Sequence, residues 1–374
     1  LLKTALVVPI YTKGDATCID NYRPISILNT ISKVFERFIH DRMISFLMRF
    51  ALLTPSQHGF LKNKSTETAL FEFHDYVTKE LDAGHHVVGL YFDLSKAFDS
   101  LNIDLIIVKL EALGFRGRFL DFLESYLRNR KLSARVNNVI SPNYDINIGV
   151  PQGSVLGPLI FLLYVNDLPQ YIIDGKVLMF ADDTSIIVSA LSPEELYYKV
   201  ENVVIQFRNW CTNNNLMINI TKTVCLNFKP KESVSNFHFH FGNLSIYAER
   251  NVKFLGLNFD NELVWDKHLD FVVKKVTSGG FALLRLKDFM TEKNLITVYY
   301  ALVYPYLNYG VSLWGQAVNN NRVFISQKRI IRIIFKLKSK ESCKSYFRSF
   351  RILTFPCIYI LKTLLSIKIN EDKL

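Results

Sequence analysis

Asp182 and Asp183 stand side by side within Lys176–Ser189, KVLMFADDTSIIVS, between two apolar runs rich in β-branched residues. That pattern reads as a strand, a tight turn and a returning strand, with Ala181-Asp182-Asp183 at the tip. Adjacent carboxylates repel each other, and a use for such a pair is to hold a hard divalent cation such as Mg²⁺, which takes oxygen donors. Asp-Asp is also ordinary turn chemistry, and the pair alone leaves both readings open. A third acid, Asp93, closes the nearly continuous apolar run Val87–Phe92, the pattern of a buried strand. Open sheets place their chemistry at strand ends, although Asp93 and Asp99 also suit helix starts and turns. If the two strands are neighbours, three carboxylates converge at one sheet edge. Two Mg²⁺ ions held there would serve phosphoryl transfer, activating an attacking hydroxyl and stabilising leaving pyrophosphate. The rival is an acid cluster that binds Ca²⁺ or caps turns.

The elements that would position these acids follow from hydrophobic spacing. Leu1–Ile10 reads as a strand, followed by the polar turn Thr12–Asp15. Ile31–Phe50 has helical spacing, with Ile31, Val34, Phe35, Phe38, Ile39, Met43, Phe46 and Leu47 as its core stripe. Ser65 and Thr66 can cap a helix running through Thr78–Leu81. Asp104–Leu113, stopped by Gly114, and Arg118–Leu127 are helical, and Ala134–Val139 and Tyr144–Ile148 are short strands. Gly149–Ser154, GVPQGS, is a rigid turn opening the apolar helix Val155–Tyr164, where exposed N–H groups favour an anion. Ser192-Pro193-Glu194-Glu195 is a capping box starting a helix to about Trp210, with Leu196, Val200, Val203, Phe207 and Trp210 buried. Leu216–Asn219 and Thr223–Phe228 are strands around Lys222, and Val252–Phe259 is a single strand containing Gly256. From Trp265 onward the pattern is helical. The alternation predicts an α+β sandwich with helices on one face.

Composition sets the partners. The 374 residues carry a net charge of +11 and 49% hydrophobic residues, which describes a globular chain with a substantial core and suits a polyanionic partner, nucleic acid and membrane alike. From Arg322 onward there are thirteen Lys/Arg against three Asp/Glu. Arg329, Arg332, Lys336, Lys338 and Lys340 alternate with Ile, Phe and Leu, which reads as an amphipathic helix with a basic face. The 5 cysteines are scattered without a C-x-x-C pair, the pattern of reduced intracellular thiols. His238 and His240 read as an exposed strand face rather than a metal site. No apolar run is long enough to span a bilayer. The chain opens with Leu in a strand-like run, as a fragment of a longer protein would.

Taken in order, these residues resemble the reverse transcriptases of non-LTR (LINE-type, jockey-like) retrotransposons. Phe180-Ala181-Asp182-Asp183 resembles their F/Y-x-D-D box, and Phe92-Asp93 through Phe98-Asp99 their first aspartate box. Asn21–Ile25, Gln57–Phe60, Gly149–Pro158, Asn219–Thr223 and Phe254–Gly256 match the same branch in register. Tyr304–Tyr306, Tyr309-Gly310 and Trp314-Gly315 resemble the region beyond its thumb.

The resemblance implies an α+β right-hand polymerase, with fingers at 1–86, a ferredoxin-like palm at 87–260 (carrying a fingers-side insertion at about 105–148) and a helical thumb with a basic C-terminal region at 261–374. It implies RNA-directed DNA synthesis with two Mg²⁺ ions, Mn²⁺ being an alternative. Asp93, Asp182 and Asp183 would be the catalytic acids and metal ligands, with the Leu94 carbonyl completing one shell. Lys222 would be the general acid for pyrophosphate, or a solvated turn lysine. Lys13 and Arg23 would grip the triphosphate, Gln152 and Gly153 line the nucleotide pocket, and Phe98 exclude a ribose 2′-hydroxyl unless it is only a core aromatic. Leu255-Gly256 would be the primer grip. Implied partners are an RNA template, a DNA primer or target and dNTPs, with no membrane, in the nucleus or a cytoplasmic ribonucleoprotein. The competing readings are a decayed or domesticated copy that binds RNA without synthesis, and a group II intron maturase-type polymerase.

Overall fold

The computed structural model describes residues 3–228, 237–242 and 244–371, with side chains to residue 368. The chain forms two compact units. The first holds the described residues within Leu1–Ala69, Ala83–Cys225 and Asn236–Tyr247; the second holds those within Leu70–Asp82, Leu226–Ser235 and Ala248–Leu374.

Two sheets organise the first unit. Thr4–Tyr11 and Tyr22–Ile27 form an antiparallel hairpin, and Thr4–Tyr11 also pairs in parallel with Arg130–Val136. The first two residues of the predicted strand Leu1–Ile10 lie outside the described residues. Val139–Ile140 and Tyr144–Ile146 complete this sheet against Arg130–Val136. The other sheet sets Asp183–Ala190 between His86–Phe92 and Lys176–Phe180, and His238–Phe241 pairs antiparallel with Leu244–Tyr247. All seven residues of His86–Phe92 are buried, which is why that run carries no polar alternation. Helix Pro193–Asn213 packs on this sheet through Leu196, Val200, Val203, Phe207 and Trp210, all buried as predicted, with Phe207 stacked 4.1 Å from Phe92. Ser192 accepts from Glu195 N, and Glu195 accepts from Leu191 N, the expected N-terminal cap shifted by one donor.

The helix predicted over Ile31–Phe50 forms as Thr30–Arg49, but its predicted stripe does not hold at the start. Ile31, Val34, Phe35 and Phe38 are exposed, whereas Ser32, Glu36, Met43 and Leu47 are buried. The reason is Glu36. Its carboxylate accepts the Val155 N–H at 2.6 Å, where helix Leu156–Tyr164 begins and a free N–H is otherwise left over. One charge-assisted bond to a helix start thus decides which face turns inward.

The second unit pairs a β-hairpin with helices that include Asp266–Leu286, Glu292–Leu302, Asn321–Ile334 and Phe355–Glu371, and with the Leu70–Asp82 part of helix Thr66–Asp82. Val252–Phe259, predicted as one strand, is two: Asn251–Phe254 and Leu257–Asp260 pair antiparallel around Leu255-Gly256. Both turn residues are left-handed, φ 43° and 86°, the geometry of the tight turn that suits the twist of a two-residue hairpin. Phe73, Phe254, Phe259 and Trp265 build an aromatic core under it. Further along, buried Gln327 donates to Tyr299 Oη and Leu353 O and accepts from Phe355 N, each at 2.8 Å. A polar group fully satisfied in a core fixes one packing arrangement of three segments. Arg329 and Arg332 lie on Asn321–Ile334, but the helix stops before Lys336, whose φ of 53° ends it; Lys338 and Lys340 follow outside it.

Candidate active site

The acids meet through strand pairing. Lys176–Phe180 and Asp183–Ala190 form a hairpin in which Phe180 faces Asp183, so Ala181 and Asp182 are the whole turn. The His86–Phe92 strand pairs with the second arm, Phe92 opposite Thr184, and one step further in that register brings Asp93 level with Asp183. Two strands remote in sequence thus deliver three carboxylates to one sheet end.

Their electrostatics show the crowding. Burial pushes the Asp183 carboxyl up to about 6, and the negative charges of Asp182 and Asp93 push in the same direction. Asp182 is also raised, first by burial and then by Asp93, while Arg23 and Lys222 oppose the rise. Asp93 Oδ2 pairs with Lys222 Nζ at 2.9 Å. Lys222 arrives there because Asn219 N donates to the Asp93 carbonyl at 2.8 Å and Met217–Ile218 pairs with Leu94–Ser95, anchoring the short Ile220–Lys222 helix.

Among the described residues, no three His, Cys, Asp or Glu side chains are already gathered as a metal cage. The donor set nevertheless suits a hard divalent cation: burial and neighbouring carboxylates raise Asp182 and Asp183, and the charge paired with Asp93 is one lysine. A cation held there would compete with Lys222 for Asp93.

The surrounding loops are locked together. Gln152 Nε2 donates to Asp99 Oδ2 at 2.7 Å, and its carbonyl accepts from Ser26 N at 2.8 Å. Burial raises the Asp99 carboxyl, and the Gln152 bond partly offsets that. A Cβ on Gly153 would lie 2.6 Å from the Ser26 carbonyl, so this position needs glycine for close approach. Phe98 is half-buried, stacked 4.6 Å from Phe161 with Phe60 edge-on at 6.4 Å. Arg23 lies on the Tyr22–Ile27 strand and Lys13 in the turn before it, both exposed. Leu94 is buried beside Asp93.

Leu255 and Gly256 belong to the second unit. Tyr309 Oη donates to the Leu255 carbonyl at 2.5 Å, and the Tyr309 ring covers Gly256. The same unit carries a trough of about 800 Å³ lined by Lys287, Lys328, Arg329, Arg332, Lys336 and Lys340 over Leu284, Ile325, Ile333 and Leu337. The predicted basic stripe is thus an assembly of two helices and a loop. His238 and His240 lie on a strand whose Phe239 and Phe241 face inward.

Sequence reasoning gave no role to Gln57 or Glu36, both buried polar groups bonded to backbone around these loops. A buried position is invisible in one sequence, although Gln57 falls within a matched motif.

Among known proteins, the family described as reverse transcriptase (RNA-dependent DNA polymerase) matches residues 11–259. The probable RNA-directed DNA polymerase from transposon X-element of Drosophila melanogaster is 28% identical over 326 residues, covering 84% of this chain and 35% of that protein. The RNA-directed DNA polymerase from mobile element jockey of the same species is 25% identical over 346 residues, covering 89% and 37%. The chain spans about a third of the length of these curated relatives. Apo telomerase from Candida tropicalis has a similar fold, with TM-score 0.55 at 13% identity over 97% of this chain and 62% of that one. Telomerase from Candida albicans, in complex with a fragment of telomeric RNA, gives 0.52 at 15% identity over 94% and 66%. The fold is that of an α+β right-hand polymerase, and the chain belongs to the reverse transcriptase family, as a domain of the non-LTR retrotransposon type.

Proposed function

We propose that this chain is the RNA-directed DNA polymerase of a non-LTR retrotransposon, extending a DNA primer with dNTPs on an RNA template. The observation that carries this reading is the delivery of Asp93, Asp182 and Asp183 to one sheet end by two remote strands, inside the residues matched by the family. The family generally uses divalent metal ions; here two Mg²⁺, with Mn²⁺ as substitute, would be held by Asp93, Asp182, Asp183 and the Leu94 carbonyl. Bound there, they would lower the pKa of the primer 3′-hydroxyl and neutralise charge building on the pyrophosphate.

The remaining residues position and neutralise. Arg23, whose charge reaches Asp182, and exposed Lys13 hold the triphosphate by charge-assisted bonds. Lys222, ion-paired with Asp93, would donate a proton to the leaving pyrophosphate. Gln152 and Gly153, fixed against Asp99 and Ser26, form a wall of the nucleotide pocket. Phe98, braced by Phe161, closes the space a 2′-hydroxyl would take. The Leu255-Gly256 turn holds the primer end. Fingers at 1–86, palm at 87–260 and thumb with basic region at 261–374 are the corresponding parts. The parallel pairing of Thr4–Tyr11 with Arg130–Val136 supports assigning about 105–148 to the fingers side.

Primer extension on RNA with Mg²⁺, comparing wild type with Asp182→Ala, tests the assignment. Loss in the variant supports it, and equal activity in both overturns it. Phe98→Ala is expected to admit ribonucleotides; unchanged sugar discrimination removes Phe98 from that role. The basic trough favours a second reading, a copy that binds RNA without synthesis. RNA gel shift with no extension in wild type selects that one. Among the described residues no helix is long and apolar enough to cross a membrane.

A further inference from the structure

The turn that presents Asp182 is held from outside the hairpin. Ser56–Gly59 runs alongside the Lys176–Phe180 strand as a short parallel addition: Met179 N donates to Ser56 O at 2.9 Å, and His58 N donates to Met179 O at 2.8 Å. Between these bonds the Gln57 side chain points into the protein, 2% exposed. Its Oε1 accepts two backbone N–H groups, Gly59 N at 2.7 Å and Ala181 N at 3.0 Å. Two converging donors fix the orientation of the amide, because the flipped form would set its NH₂ against both. Gln57 Nε2 is buried with no hydrogen-bond partner among the described residues, so the oxygen is the end that holds the side chain.

What the oxygen holds is costly by itself. Ala181 has φ 56°, the left-handed region that a Cβ disfavours, and it is one of only two turn residues. The residue after it is Asp182. A rotation of the Ala181 peptide would swing that carboxylate and alter where Asp183 begins its strand. Gly59 closes the clamp from the other side: a Cβ there would lie 2.4 Å from Ala181 N and 3.0 Å from its Cα.

We propose that Gln57 is a positioning residue for the acidic site, its amide oxygen fixing the Ala181-Asp182 turn in the backbone conformation that presents both aspartates. The inference deepens the polymerase reading and rests on it for the catalytic consequence, while the clamp itself is a property of the metal-free chain. Gln57 touches no reacting atom and acts through the turn.

The full chain with Gln57→Leu, Gln57→Glu and Gly59→Ala tests this in two arms. Hydrogen–deuterium exchange without metal reads the turn directly. In Gln57→Leu the Ala181 amide loses its acceptor, and exchange across 178–184 should accelerate at least about tenfold while the buried His86–Phe92 strand stays protected. Gln57→Glu keeps both acceptor bonds and replaces the unpaired donor, so protection should persist. The second arm is single-nucleotide incorporation together with Mn²⁺ titration. Gln57→Leu and Gly59→Ala should lose kcat on the order of 10²-fold from misplacement, with nucleotide KM little changed and the Mn²⁺ needed for half-saturation raised. Gln57→Glu should recover most of that kcat. Unchanged exchange at 178–184 in Gln57→Leu overturns the proposal, as does a folded Gln57→Glu that loses as much kcat as Gln57→Leu. Should Gln57→Leu fail to fold, Gly59→Ala and Gln57→Glu give the same contrast. A wild type without extension activity refutes the polymerase reading, and the exchange and Mn²⁺ arms still decide the role of Gln57.

Discussion

Two tight hairpins, one in each unit, are built alike and loaded differently. Both turn in two residues, both force a non-glycine residue into left-handed backbone, Ala181 at φ 56° and Leu255 at 43°, and both are held by one polar side chain from elsewhere. Gln57 takes the N–H of Ala181; Tyr309 takes the C=O of Leu255. The first turn continues into Asp182 and Asp183, the second into Gly256. A turn that must aim carboxylates needs side chains after the strained residue, and it collects electrostatic repulsion as well as strain. A turn that offers only backbone can use glycine and be covered by a ring. The charges follow the same division: few, crowded and fixed by a strand ladder in the first unit, many and on long side chains around the trough in the second. Fixed charges should respond to mutation sharply, and mobile ones by degrees.

The sharpest break should come at the first turn. Asp183→Asn is expected to reduce primer extension by roughly 10³-fold, since a metal-bound charge at the reacting oxygens contributes several kcal/mol. RNA affinity, measured by filter binding on the same preparation, should stay level or rise slightly, because only negative charge has been removed. A parallel fall in RNA binding would mean the variant had lost its fold, not its chemistry.

Much of this first turn was legible in the sequence. β-branched runs around Asp182-Asp183 and the apolar run before Asp93 fix strand identity by period and burial, whereas the three-residue tip Ala181–Asp183 read from that pattern is a two-residue turn, Asp183 opening the returning strand. The carboxylate meeting was legible only as a conditional, because pairing of His86–Phe92 with Asp183–Ala190 is a long-range choice that local pattern does not encode. Three other features escaped as well, two through distant partners and one through a local disguise. The stripe on Thr30–Arg49 was misassigned because Glu36, a charge that periodicity sends outward, has a helix start to cap. Val252–Phe259 read as one strand because an apolar run hides a turn whose first residue is Leu. Gln57 carries no local signal because its two partners lie in its own loop and in a hairpin turn far along the chain.

The trough sharpens the comparison from the other side. Charge reversal of Arg329 and Lys340 together should weaken single-stranded RNA binding on the order of 10²-fold and lower the log–log salt slope by roughly 1.4, the value for two lost phosphate contacts. Single reversals should give intermediate losses. Mn²⁺ binding by the acids should not change. A salt slope equal to wild type would show that RNA binds elsewhere and that the trough charges are only solvated.

A pH difference should also separate the units. His268, 2% exposed and packed against Trp314 at 5.2 Å, has its imidazole pushed down to about 4 by burial. The unfolded chain protonates near the usual 6.5 while the folded one resists. Stability of the second unit is therefore full above pH 6.5 and falls as pH drops toward 4. Between pH 7 and pH 5 the loss from this group is about 2 kcal/mol. Urea titrations followed by Trp fluorescence, with Trp265 and Trp314 flanking the imidazole, should show it, and His268→Phe should flatten it. Persistence of the same slope in His268→Phe would move the effect to another group.

The smallest expected effect returns to the second turn. Tyr309→Phe keeps the ring over Gly256 and removes only the hydroxyl that satisfies the Leu255 carbonyl. The cost should be about 1 kcal/mol in the stability of the second unit, the scale of one net hydrogen bond with a partly buried acceptor left behind. Because this turn aims backbone and not charge, a modest loosening should raise the primer concentration needed for half-maximal extension about twofold, converting a similar small free energy, and leave kcat nearly unchanged. Gln57→Leu should do the reverse. A Tyr309→Phe variant that lost kcat as steeply would show that backbone placement in the second unit is held as tightly as carboxylate placement in the first, and the contrast between the two turns would then lie in their side chains alone.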